Sequence, residues 1–390
     1  MNNESWIAEV LGQLREDHLE RVLNPYTECG GRIHIGGREF LNFSCNDYLG
    51  LARNPALAKA SADAAASFGA GATASRLVTG TLTLHETLEH RLAAFKGYPA
   101  ALLFGSGFLT NTGVIPSLVG RDDAVFADRF VHASILDAIA LSRARLSRFQ
   151  HNDPASLDSA LSKYPPSGRR LVVTESVFSM DGDLAPLPDL ARVARKHGAM
   201  FMVDEAHATG VFGPAGSGLV REHKLEQTVN ISMGTMSKAF GGYGGFVACT
   251  RDMRNLLVNR ARSFIYSTAL PPSVLGAAIA ALDLMEQNPG WGSELLRRAD
   301  GFRKALAGAG LNTMQSASQI VPVLVGDNQK ALSLSRRLRE NGILCVAIRP
   351  PTVPPDTARL RFSVSLAHTE KDLEFAATQI VAAARAEGLL

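Results

Sequence analysis

No uncharged apolar run in the 390 residues reaches the ~18 needed to cross a bilayer, so no membrane-spanning helix is expected. A dominant charge sign is also missing. The 40 Lys and Arg against 37 Asp and Glu leave a formal charge of +3, which gives no electrostatic case for a nucleic-acid or membrane partner. Cysteine is scarce: Cys29, Cys45, Cys249 and Cys345 lie far apart without metal-ligand spacing, as expected for free, mostly buried thiols in a reducing cytoplasm. No Gly-Lys pair occurs anywhere. That removes a phosphate-binding P-loop, although Asp204-Glu205-Ala206-His207 spell the acidic box of a helicase ATPase. Gly69, Gly71 and Ala74 fit a loose dinucleotide fingerprint, but an Ala-rich helix precedes them where a strand is required. The opening residues, "MNNESWIAEVLGQLREDHLERVL", are acidic and amphipathic, unlike a secretory signal.

Hydrophobic residues make up 46% of the chain and charged residues 20%, ordinary values for a globular enzyme. The length suggests more than one domain. Residues 4 to about 23 carry helical spacing (Trp6, Val10, Leu14), and "GGRIHIGGREFLNFS" reads as a hairpin with glycine turns. Together they form an expected N-terminal arm, 1–45. From 46 to 285, short apolar segments alternate with helical ones: "AALLFGSG", "DAVFAD", "RLVVTES", "AMFMVDEA", "VNISMG" and "GGFVACT". "PLPDLARVARKHG" reads as a helix opened by proline and closed by glycine. Such alternation predicts an α/β domain, a mostly parallel sheet with helices on both faces. Residues 286–390 predict a smaller α+β domain: a helix from Glu294 to Leu306, strands "IVPVLVGD", "ILCVAIRP" and "RLRFSVS", a helix at 329–340 and a last helix from 369.

Polar residues concentrate where the apolar segments end, and in an open α/β sheet ligands bind at those ends. Gly105, Ser106, Gly107 and Phe108 follow one strand and open a helix, which suits an anion. Glu175 and Ser179 follow a second, Asp204 and His207 a third, and Lys238 a fourth, between Thr235 and Ser237 and ahead of Gly241, Gly242, Gly244 and Gly245. His132 stands at a helix start. Each has a plainer reading: Asp204 and His132 as helix caps, Ser179 as a turn residue, Lys238 as a surface lysine. Taken together they match the needs of pyridoxal 5'-phosphate: an amine for its aldehyde, donors for its phosphate, a carboxylate for its ring nitrogen and a flat group over the ring.

The chain resembles the α-oxoamine synthases, a family of fold-type I pyridoxal-phosphate enzymes. The motifs run nearly end to end in family order: "LNFSCNDYLGL", "SRLVTGTLTLHETLE", "LLFGSGFLTN", "HASILDAI", "HNDP", "VVTESVFSMDGDLAPL", "VDEAHATGVFG", "TMSKAFGGYGG", "IYSTALPP" and "AIRPPTVP". Within the family, "IVPVLVGDN" and "AIRPPTVP" point to a member that condenses L-alanine with a pimeloyl thioester and releases carbon dioxide. The resemblance implies that Lys238 binds the cofactor covalently and acts as a base on alanine, that Asp204 pairs with the ring nitrogen, and that His207 and Ser179 orient the ring. It implies that His132 stacks on the ring and polarises the thioester carbonyl. It gives the phosphate to Thr235, Ser237 and the Gly107–Phe108 backbone, with Thr268 supplied by the second subunit of a homodimer. Arg349 is implied for a substrate carboxylate, Asn46 and Thr352 for the substrate pocket, and Arg21 for the far end of the acyl chain.

The basic residues Arg143, Arg145 and Arg148 are either wet surface or a dock for an acyl carrier protein. "HATG", "GAGATASRL" and "PPDTARLR" are less glycine-rich than the family pattern, the second near the expected acyl-binding region. The rival readings are a sister acyltransferase that uses glycine or serine with another thioester, and a catalytically silent paralogue that serves as a binding subunit.

Overall fold

The computed structural model describes residues 4–164 and 168–390. In chain order the strands are β1 (Arg32–Ile35), β2 (Arg38–Asn42), β3 (Ala100–Phe104), β4 (Ala124–Asp128), β5 (Arg145–Phe149), β6 (Arg170–Glu175) and β7 (Met200–Asp204). They continue with β8 (Ile231–Thr235), β9 (Gly245–Cys249), β10 (Ile320–Gly326), β11 (Ile343–Leu344), β12 (Ala347–Ile348) and β13 (Ala358–Ser363). The chain divides into two compact units. One comprises Asn46–Ser179 and Asp183–Leu296; the other comprises the residues up to Cys45, Met180–Gly182 and Arg297–Leu390.

The first unit is built on a seven-stranded sheet in the order β3-β9-β8-β7-β6-β4-β5. The β8-β7-β6-β4-β5 pairs are parallel, and β9 runs antiparallel to both neighbours. The strands other than β5 are built mostly of Val, Phe, Leu, Met and Ala without polar alternation because both faces are covered. Leu102, Val125, Leu171, Val173, Met202, Ile231, Met233 and Val247 point into one core with Val114, Ile115, Ile135 and Ile139. The residues between them, such as Phe126, Val172, Phe201 and Phe246, are equally inaccessible on the other face. Each such side chain contributes about 1.5–3 kcal/mol by leaving water. Local signals set the helices. Asn54, Ser106, Asp153 and Thr250 cap their helices through side-chain oxygens, and prolines open Pro55–Phe68, Pro154–Ser162 and Pro272–Gln287.

Strand β5 has no counterpart among the expected elements. It carries Arg145 and Arg148 at the sheet edge, paired only with β4 and largely exposed. Charged residues on an edge strand discourage pairing with another chain, and this gives the basic cluster a structural role of its own.

On the face opposite the core just described, Lys96 and Glu205 form an ion pair with side chains 1% and 0% exposed. Glu205 also accepts from Ser232 Oγ at 2.8 Å and Val220 N at 2.9 Å. The second residue of the helicase-like box is therefore a structural anchor. Lys96→Met leaves that carboxylate buried without its cation, so unfolding free energy in urea falls by about 3–5 kcal/mol. Adding Glu205→Gln restores much of it. A single variant within ~1 kcal/mol of the parent contradicts the assignment.

The "HNDP" motif builds a second polar cluster. His151 Nδ1 lies 2.9 Å from Asp128 Oδ1 and its Nε2 lies 2.7 Å from Asp183 Oδ2, while the backbone N–H of Asn152 donates to Asp128 Oδ2 at 2.8 Å. Burial opposes the imidazolium, but hydrogen bonds to the two carboxylates outweigh it and push the His151 pKa up to about 9. The folded value lies above the unfolded ~6.5. This contribution to stability is complete below the unfolded value and is lost as pH rises through about 9. Chemical denaturation of the parent across that window shows a decline that is absent from His151→Gln; parallel pH curves for the two proteins refute the clamp.

In the second unit, β1 and β2 form an antiparallel hairpin and β11 adds in parallel beside β2. A separate antiparallel sheet has the order β10-β13-β12. The segment "ILCVAIRP", expected as one strand, is thus two short strands in different sheets. The break falls at Cys345 and Val346, where Ser335 Oγ donates to the Cys345 carbonyl and Val346 N donates to Ser44 Oγ. The hairpin read as an N-terminal arm shares its sheet with residues 343–344. Among the described residues no helix is long and apolar enough to cross a membrane. None of the four cysteines forms a disulfide; Cys249 and Cys345 are buried and Cys29 is exposed.

Candidate functional site

Strands β6, β7 and β8 end at Glu175, Asp204 and Thr235. β3 ends at Phe104, ahead of the helix Gly107–Leu118, and β4 at Asp128, ahead of the helix Ala133–Ser142. One pocket opens at these ends. It is lined by Ser106, Gly107, Phe108, Asn111, His132, Ser134, Glu175, Asp204, Ala206, His207, Met233, Thr235, Ser237 and Lys238. Eight of the predicted residues therefore meet: Lys238, Asp204, His132, His207, Thr235, Ser237, Gly107 and Phe108.

Lys238 leaves β8 on a turn that only glycine permits. A Cβ on Gly241, at φ +65°, would lie 2.4 Å from Ala52 N. One on Gly245 would lie 2.7 Å from the Ser106 carbonyl. These close approaches are why glycines follow the lysine. Thr235 Oγ1 donates to the Gly244 carbonyl at 2.8 Å and sits 2.7 Å from Ser237 Oγ. With the Thr235 proton committed, the proton in that contact is Ser237's, and it can turn from Thr235 to an incoming anion. Ser106 caps the helix by accepting from Leu109 N, and Gly107 and Phe108 hold first-turn N–H groups that have no intrahelical acceptor. A Cβ on Gly107 would meet Met233 at 3.0 Å and face Thr235 at 3.8 Å. The two amides at the helix N-terminus and the Ser237 hydroxyl thus make an anion cradle, with Thr235 orienting Ser237.

Asp204 is 4% exposed. Its Oδ2 accepts from Asn111 Nδ2 at 3.0 Å and its Oδ1 from Ala206 N at 2.9 Å. Asn111 gives its other amide proton to Ser134 Oγ at 3.0 Å, and Ser134 Oγ lies 2.8 Å from His132 Nδ1. That Nδ1 also accepts from Ser134 N at 3.2 Å, the helix cap. Nδ1 is therefore an acceptor and the neutral ring carries its proton on Nε2. Burial holds the His132 pKa below its usual value against the pull of Asp204, and Lys238 adds to the lowering. His132 is both cap and pocket residue. His207 Nδ1 lies 2.6 Å from the buried Tyr48 hydroxyl, which donates to Asn46 Oδ1 at 3.1 Å. Asn46 thereby reaches the pocket wall through one intermediate.

Ser179 and Thr268 do not line this pocket. Ser179 is half-buried at the end of its segment, and Thr268 is exposed beside a different recess with Arg76 and His85. Arg21, Arg349 and Thr352 belong to the other unit and gather there. Arg21 is within 3.5 Å of Thr352 Oγ1, and Arg349 donates to the carbonyls of His18 and Glu20. Burial and the nearby Arg21 charge lower the Arg349 pKa.

Residue-type reasoning missed Asn111, Ser134 and Tyr48, and left Glu175 without a role. Asn111 had a signal: asparagine is disfavoured inside a helix unless its side chain is used, and this one is 1% exposed. A buried tyrosine needs a partner for its hydroxyl, but the sequence does not say which.

Comparison with known proteins places the whole chain in a family. The family described as "Aminotransferase class I and II" matches residues 38–380. An 8-amino-7-oxononanoate synthase of Geobacter sulfurreducens is 50% identical over 94% of this chain and 95% of its own. A serine palmitoyltransferase from S. paucimobilis, solved with bound PLP, superposes with TM-score 0.93 at 31% identity, covering 99% of this chain and 98% of that one. An 8-amino-7-oxononanoate synthase of Francisella tularensis superposes with TM-score 0.77 at 30% identity, covering 90% and 99%. A family match over most of the length and 50% identity to a relative lead to one conclusion: the chain belongs to the class I and II aminotransferase family, in its α-oxoamine synthase branch.

Proposed function

We propose that this chain is a pyridoxal 5'-phosphate-dependent C-acyltransferase, an 8-amino-7-oxononanoate synthase that joins L-alanine to a pimeloyl thioester, with loss of carbon dioxide, in biotin synthesis. The observation that carries the reading is the meeting of Lys238, Asp204, His132 and His207 with the Gly107, Thr235 and Ser237 cradle in one pocket at the strand ends.

The donor set fits the cofactor. The cradle suits a phosphate, the buried Asp204 carboxylate suits a ring nitrogen, and Lys238 suits an aldehyde carbon. Bound there, the cofactor supplies the electron sink that lets a carbanion form at the amino acid's Cα. The chain supplies the rest. Asp204, anchored by Asn111 and Ala206, keeps a negative charge at one end of the pocket. Lys238 takes the Cα proton once its amine is free and neutral. His132 keeps an N–H on Nε2 to offer a developing oxyanion at the thioester carbonyl. A substrate carboxylate falls to Arg349, the acyl chain's far end to Arg21, and further substrate contacts to Asn46 and Thr352. Ser179 assists ring orientation.

Thr268 is exposed and borders a different recess. Service to the phosphate then requires Thr268 of the partner subunit, and a homodimer is part of the reading. So is a cytoplasmic setting, in keeping with four cysteines that form no disulfide. An acyl carrier protein is one form of the thioester donor. The serine palmitoyltransferase superposes more closely than the Francisella protein, but the 50% identity to an 8-amino-7-oxononanoate synthase carries more weight: one fold hosts many substrates, and side chains select among them.

The test is mass spectrometry of the product from L-alanine and pimeloyl thioester, with carbon dioxide measured from carboxyl-labelled alanine. The expected product is 8-amino-7-oxononanoate with one labelled carbon dioxide per turnover. Faster reaction of glycine with acetyl-CoA would refute the substrate assignment. A purified protein that binds no pyridoxal phosphate would refute the cofactor assignment.

A further inference from the structure

Two carboxylates stand side by side in the pocket. Glu175 and Asp204 are register partners at the ends of the parallel strands β6 and β7, and both line the cavity. Their surroundings differ. Asp204 has donors on both oxygens. Glu175, 3% exposed, has the His132 backbone N–H as its nearest donor, and its Oε1 is buried with no partner. A buried charge needs full hydrogen bonding or a close counter-charge to be tolerated, and one amide is too little. A protonated carboxyl needs far less.

We propose that Glu175 is a positioning residue of the same site, working as a neutral carboxylic acid. One oxygen of the carboxyl holds the His132 backbone, so the ring of that histidine stays over the pocket. The absence of a second charge leaves Asp204 as the negative group at that end, balanced by Lys238. The groups that bear on Glu175 are Asp204 from β7, Lys238 after β8, Asp128 from β4 and His132 at the helix start. Burial is the largest cause holding its pKa well above the usual carboxylate range; Asp204 and Asp128 push the same way, and Lys238 and the His132 amide oppose. The inference rests on the pocket being the one proposed above, but its first test does not need the cofactor.

Infrared difference spectra of the cofactor-free protein, parent minus Glu175→Gln at neutral pH, should show the carbonyl stretch of a protonated carboxylic acid. A carboxylate pair of bands in its place overturns the proposal, whatever the enzyme's substrate proves to be. With cofactor and substrates, Glu175→Gln keeps kcat within about threefold because the amide reproduces a neutral hydrogen-bonding group. Glu175→Ala, which cannot hold His132, loses about tenfold. The parent's activity falls at high pH as Glu175 ionises, and the Gln variant lacks that component. A loss of about 100-fold or more in Glu175→Gln would mean that the residue works as a base, and would equally overturn the proposal. Parent-like kcat in both variants would deny it any positioning role.

Discussion

Lys238→Ala abolishes turnover, with kcat down by at least about 10⁴-fold, because one side chain serves both as the covalent anchor and as the base. No neighbour can replace it. The other basic groups that line the pocket are His132 and His207, and neither is an amine. His132 is also committed to its helix through Nδ1. The alanine variant should remain folded, since Lys238 is half-buried and opens a turn held by Gly241 against Leu51 and Ala52. Its far-ultraviolet dichroism and melting temperature should therefore match the parent, while the visible absorbance of lysine-bound cofactor disappears. Activity within tenfold of the parent would remove Lys238 from the chemistry.

Asp204→Asn lowers kcat by about 10³-fold, the scale of losing a preorganised charge that faces the reacting system. A structural effect accompanies it. Asp204 accepts from Asn111 Nδ2 and Ala206 N with separate oxygens. An amide has one oxygen, so one buried donor then faces an NH2 group, at a stability cost of about 1–3 kcal/mol. The two effects are separable: steady-state kcat reports the charge, and urea denaturation reports the hydrogen bond. A variant with lowered stability but parent-like kcat would reduce Asp204 to a helix-start anchor, the plainer reading of its position.

Much of the fold was legible because buried parallel strands are written as short apolar runs. Those ending at Asp128, Glu175, Asp204 and Thr235 stand in the sequence nearly as they stand in the sheet. The exceptions have physical causes. β5 was hidden because an edge strand with one solvated face can carry arginines. "ILCVAIRP" reads as one strand because local pattern does not register a change of partner; its halves pair with β2 and β13. The pairing of residues 41–42 with 343–344 is a tertiary choice that no local periodicity encodes.

The candidate site shows the same division. Residue types at strand ends announced Lys238, Asp204 and His132. The chain that joins Asp204 to His132 runs through Asn111 and Ser134, and its Asn111–Ser134 step depends on two helices packing side by side. Glu175 was visible at its strand end, but its protonation depends on burial and on the neighbouring Asp204. Glu205, adjacent to Asp204, turns to the opposite side of the sheet and pairs with Lys96. Alternation along an extended backbone accounts for that, and it separates an anchor from a pocket residue one position away.

The most direct measurement is borohydride reduction of the holoenzyme followed by peptide mapping. The account predicts a pyridoxyl-phosphate mass added to the peptide containing Lys238 and to no other. Label on a different lysine, or none at all after reduction, would contradict it.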